Sequence, residues 1–110
     1  MSLERIFKAL VSLGLSQTDA RIYIYLATDS PMKARGIINK LTINKRQIYR
    51  SLKRLQNKKI IIANDERPAK FSALPFEEVL DMLIKMKEEQ AQAIKKRRKE
   101  LLSSGLNNGK

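Results

Sequence analysis

The chain of 110 residues contains no cysteine and no histidine. Disulfides, thiolate and imidazole metal ligands, thiol nucleophiles and histidine acid–base chemistry are therefore excluded together. Glycine occurs only 4 times, and nowhere as a phosphate-cradling loop. Acids are also scarce, with 11 Asp and Glu against 23 Lys and Arg, for a net charge of +12. They form no cluster outside ordinary helix starts. No apolar run approaches the roughly 18 residues of a membrane span. The amino terminus, Met1-Ser2-Leu3-Glu4-Arg5, lacks the basic-then-apolar order of a signal peptide. The expectation is a soluble cytoplasmic protein that is not an enzyme and needs no cofactor or metal. Apolar residues make up 43%, enough for one packed core, but the length is too short for two.

The positive charge is concentrated. Between Asp29 and Asp65 no acid occurs, while Lys33, Arg35, Lys40, Lys45, Arg46, Arg50, Lys53, Arg54, Lys58 and Lys59 supply ten of the twelve net charges. One-sign concentration on a short segment is the footprint of phosphate binding. A disordered basic tail is excluded, because apolar residues run through the segment at regular spacing.

Leu3, Ile6, Phe7 and Leu10 recur at helical spacing behind Ser2, and Gly14 can end that helix. Ser16-Gln17-Thr18-Asp19 resembles a capping box and opens a second helix, which Asp29-Ser30-Pro31 breaks. Ala34, Ile37, Ile38 and Leu41 mark a short third helix. Asn44 then caps a fourth, over residues 45–57, with Ile48, Leu52 and Leu55 inward. The period changes at Ile60-Ile61-Ile62, a short β-branched run that predicts a strand. Asn64-Asp65-Glu66-Arg67-Pro68 is turn chemistry, and residues 69–74 return as the partner strand. From Phe76 the chain is helical again to about Leu102, with acids at its start and Lys95-Lys96-Arg97-Arg98-Lys99 near its end, which complements the helix dipole.

Helices followed by a two-stranded hairpin give the order of a winged helix-turn-helix, mainly α with a small β-hairpin. The division expected is a DNA-binding domain over residues 1–75, a long helix over 76–102 and a disordered tail over 103–110. On the fourth helix the core direction leaves Arg46, Arg50, Lys53 and Asn57 on the opposite side, within about 50° of its centre. Arg grips guanine and Gln grips adenine with paired hydrogen bonds. Arg46, Gln47 and Arg50, early in the helix, are therefore the expected base readers. Lys33, Arg35, Lys45, Lys53, Arg54 and Lys58 are expected on phosphates, with Arg67 and Lys70 contributing from the wing. Tyr49 lies at the flank of the apolar stripe and is expected to pack with its hydroxyl at the surface.

Four segments carry a family resemblance: Gly14-Leu15-Ser16, Ala20-Arg21-Ile22-Tyr23, the run from Ile43 to Leu52, and Arg67-Pro68-Ala69-Lys70-Phe71-Ser72-Ala73-Leu74-Pro75. In order and spacing they resemble the DNA-binding domain of TrmB-like archaeal transcription regulators, over about residues 13–90. The resemblance implies that the fourth helix reads an operator, that residues 67–70 form the wing, and that the helix after Pro75 dimerises or links to a second domain. Asn44 replaces a usual Pro, Lys59 a common Gly and Lys33 a common capping Ser or Thr. Asp65 and Glu66 make the wing tip acidic, which leaves Arg67 as its contact. The effector domain of many family members, often sugar-binding, is not expected within this sequence, so no sugar ligand is carried over and the small-molecule effector is left unassigned.

A homodimer is expected through the terminal helix. Phe76, Leu80, Leu83, Ile94 and Leu101 fit a seven-residue spacing, interrupted by Lys87, Gln90 and Arg97. Three functions fit the sequence: a sequence-specific dimeric regulator on double-stranded DNA, an architectural nucleoid protein with little sequence preference, and a winged-helix protein–protein module. Gln47 among the cations favours the first.

Overall fold

The computed structural model describes residues 2–104 and 106. Among them the order is α1 (Leu3–Ser12), α2 (Gln17–Asp29), β1 (Met32–Lys33), α3 (Ala34–Leu41), α4 (Lys45–Asn57), β2 (Ile61–Ala63), β3 (Lys70–Ala73) and α5 (Phe76–Leu102). Ser2, Ser16 and Asn44 cap α1, α2 and α4 by accepting backbone N–H bonds, as their positions before apolar stripes require. Lys33 offers α3 no side-chain cap.

Two helices end in the same way for different reasons of sequence. After α1, Gly14 takes φ +113°, its N–H bonds Val11, and Leu15 N–H bonds Leu10. After α4, Lys59 takes φ 63°, its N–H bonds Gln56, and Ile60 N–H bonds Leu55. Both are Schellman ends, with apolar residues closing the motif and fully or nearly buried. Lysine at the left-handed position carries a steric cost that glycine lacks. Lys59→Gly is therefore expected to raise stability by about 1 kcal/mol, read from the urea midpoint. A lowered midpoint would show that Lys59 makes up its strain elsewhere.

The expected hairpin is part of a three-stranded antiparallel sheet in the order β1-β3-β2. β1 is only two residues long, pairing Met32 with Phe71 and Lys33 with Lys70. So short an edge carries no alternating pattern, and its residues read as the lead into α3. β2 pairs Ile61 with Ala73 and Ala63 with Phe71. The wing loop is organised by Asn64, whose Oδ1 accepts from the N–H groups of Glu66 and Lys70.

One core joins α1–α4, the sheet and the first half of α5. Leu10, Ala20, Ile22, Leu26, Ile37, Ile48, Leu55, Ile60 and Val79 are completely buried. Tyr23 is buried as well, and its hydroxyl donates to the carbonyl of Leu74 at 2.6 Å, just before α5 begins. Burial pushes its phenol up to about 12.

The expected dimer seam needs correction at Leu83. It is 2% exposed, packed in the chain's own core with Val79, and is unavailable to a partner. Phe76 and Leu80 are half-buried, while Ile94 and Leu101 are exposed. From Lys87 onward every described residue of α5 is exposed, and the molecule extends to 58 Å in its longest dimension. No helix among the described residues is long and apolar enough to cross a membrane.

Candidate nucleic-acid interface

Burial of Ile48, Ser51, Leu52 and Leu55 fixes the rotation of α4, so the opposite side must face water. That side carries Arg46, Arg50 and Lys53, all exposed, around a shallow groove of about 740 Å³ that Asn44, Lys45 and Tyr49 complete. No carboxylate lines it. Gln47 is exposed at the amino-terminal end, with its carboxamide unbonded among the described residues. Asn44 caps the helix by accepting from the N–H groups of Arg46 and Gln47, so the cap does not occupy the Gln47 side chain.

A second cleft, of about 680 Å³, lies between α3, α4 and the wing. Lys33 and Arg35 contribute its cations, and Tyr49, Pro68 and Phe71 its apolar wall. Tyr49 is 50% exposed and lines both clefts. Packing at the flank of the core was expected of it; the fold instead leaves its ring between two cation-lined grooves. Its position next to the apolar stripe, rather than on it, was the signal. Lys45 and Arg67 are exposed, Lys58 is half-buried, and Lys70 is half-buried with its ammonium 3.8 Å from Glu66.

Arg54 is elsewhere engaged. Its Nε donates to Asp19 Oδ2 at 3.1 Å, and its Nη2 donates to Asp19 Oδ1 at 2.8 Å and Ser51 Oγ at 3.0 Å. Ser51 also donates to Asp19. Asp19 is 1% exposed. Burial alone would raise its pKa, but hydrogen bonds from Arg54 and Ser51, with the guanidinium charge, hold it below the ordinary value of 3.8. The same hydrogen bonding raises that of Arg54 against a smaller desolvation effect. The phosphate contact expected of Arg54 is thus replaced by a bidentate tie from α4 to α2. The sequence carried a clue. Asp19 falls on the same helical face as Ile22, Tyr23 and Leu26, where an acid needs a partner.

No group of three or more metal-binding side chains occurs among the described residues. A helix with an uninterrupted cationic face, flanked by a cation-lined cleft and a β-wing, defines a winged-helix DNA-binding module. The chain belongs to the TrmB family: the model described as "Sugar-specific transcriptional regulator TrmB" matches residues 10–77, more than half its length. No curated protein matches it.

Among solved structures, a possible transcriptional regulator from Methanosarcina mazei Go1 is similar with a TM-score of 0.64 and 16% identity, covering 91% of this chain and 88% of that one. A MarR-family transcription regulator gives 0.60 and 17%, over 84% of this chain and 64% of that one, so the chain spans just under two thirds of its length. A MarR-family regulator from Rhodococcus sp. RHA1 gives 0.56 and 16%, over 92% and 83%. At these identities the likeness is one of fold. Family and fold together identify a winged-helix domain of the TrmB family.

Proposed function

We propose that the protein is a sequence-specific, double-stranded DNA-binding transcription regulator that acts as a homodimer in the cytoplasm, at the nucleoid. Residues 1–75 form the DNA-binding head and α5 the dimerising arm. The observation that carries this reading is the outward face of α4. Arg46 and Arg50 occupy its amino-terminal half and Gln47 lies beside them, where side chains reach base edges in the major groove. Lys53 stands a turn further on, where the groove rim and phosphates run. Lys33, Arg35 and Lys45 line the clefts beside it, Lys58 follows at the carboxy-terminal cap of α4, and Arg67 is the wing's contact.

The test is a binding selection on randomised duplexes, followed by two substitutions. Arg50→Ala should cost about 1–3 kcal/mol on the selected site, much less on unrelated duplex, and relax one base position. Lys53→Ala should weaken both duplexes about equally and reduce the salt slope by about 2, one contact being lost from each head of the dimer. Both side chains point away from the core, so circular dichroism should show unchanged folding. If no site is selected, or if Arg50→Ala weakens all sequences alike, the protein is an architectural DNA-binding protein instead.

A further inference from the structure

We propose that α5 pairs antiparallel with α5 of a second copy, along a stripe running from Leu80 through Ile84, Ala91 and Ile94 to Leu101. This rests on the homodimer reading and adds its orientation and register. The stripe follows the alternating four- and three-residue steps of a coiled-coil seam, with Lys87 and Arg98 at the two remaining positions. It lies beside the stripe that the chain's own core uses, which contains Val79, Leu83 and Met86. Ile84 is 43% exposed, Ile94 62% and Leu101 52%. Beyond Lys87, whose side chain runs alongside Gly14, every described residue of α5 is exposed. A free helical segment of about 15 residues is marginal in water, and this one carries an apolar row that a partner would cover.

Charge selects the occupant and its direction. The first half of α5 holds Glu77, Glu78, Asp81, Glu88 and Glu89, while residues 95–99 are five consecutive cations. Parallel pairing would lay the two cationic runs side by side. It would also place Lys87 against Lys87 and Arg98 against Arg98 inside the seam. Antiparallel pairing removes each conflict.

In the antiparallel register that brings Ile84 opposite the second copy's Ile94, Lys87 faces the second copy's Ala91. Leu80 then faces the second copy's Arg98, whose guanidinium can extend past it to Glu77 or Asp81. Asp81 itself flanks the seam opposite the second copy's Lys95. A second copy of this chain is therefore a better fit to the stripe than a partner of uniform charge.

The absence of native cysteine allows a direct test. Chains carrying Ile84→Cys and chains carrying Ile94→Cys are prepared separately, then mixed and oxidised. The expected result is a covalent dimer from the mixture and none from Ile84→Cys alone, whose two thiols would lie about 15 Å apart along the axis. Spin labels on Glu100→Cys are expected roughly 30–40 Å apart, because residue 100 lies opposite residue 78 of the second copy. Self-crosslinking of Ile84→Cys would overturn the proposed register, and a label distance under about 20 Å would establish parallel pairing and overturn the proposal. Monomers by light scattering at micromolar concentration would overturn the seam and the homodimer together. The duplex selection would still decide DNA reading independently.

Discussion

Raising the salt from 50 to 200 mM is expected to weaken duplex binding by about 10³- to 10⁵-fold. The size of the effect follows from the cations each head offers to phosphates. Lys33, Arg35, Lys45, Lys53 and Arg67 are exposed, and Lys58 is half-buried. Lys70 counts for less, because Glu66 stands 3.8 Å away, and Arg54 does not count at all. A dimer that neutralises about 6–10 phosphates releases that many condensed counterions, giving a slope near −0.9 per contact on a logarithmic plot. Fluorescence anisotropy on a labelled duplex at five or six salt concentrations measures it. A flat response would remove the DNA reading and favour a protein–protein module.

Arg54→Ala is expected to destabilise the fold by about 2–4 kcal/mol while leaving that salt slope unchanged. The carboxylate of Asp19 would remain in the core with Ser51 alone to satisfy it. A fully buried pair would cost more, but the Arg54 side chain is about half exposed and water can partly replace it. Chemical denaturation and the salt titration are independent measurements. A slope reduced by about 2, one contact per head, would return Arg54 to the phosphates.

The pH dependence has a definite sign. Because Asp19 titrates lower in the folded than in the unfolded chain, its stabilisation is present above the unfolded value near 3.8. It is lost as pH falls through the folded value below that. Asp19→Asn should therefore lower stability at neutral pH and flatten the acid limb of the profile.

Much of the fold was legible because capping and periodicity are local. Ser2, Ser16 and Asn44 stand directly before apolar stripes, and the structure begins α1, α2 and α4 there. What escaped the sequence depends on which of two neighbouring faces a helix turns inward. On α5 both Leu83 and Ile84 fit an apolar row, and only the packed core decides that Leu83 is taken. On α4, Arg54 sits among cations in sequence, but a long side chain reaches a partner 35 positions away. β1 escaped because two residues show no alternation, and its pairing with β3 is a tertiary fact. The exposed face of α4 needed no such information, since Ile48, Leu52 and Leu55 alone fix its rotation.

The bond from the Tyr23 hydroxyl to the Leu74 carbonyl has a mechanical consequence. It clamps the joint where the wing ends and α5 begins, and Val79 and Leu83 drive the first turns of α5 into the head. The head and the first turns of α5 are thereby packed as one piece. In a dimer held by such arms the distance between recognition helices is a fixed gauge, like the jaws of a locked caliper. Operators whose half-sites are moved apart by about half a turn of duplex would present the second half-site on the wrong side of the DNA. A hinged protein would forgive the change; this one should let go with one head.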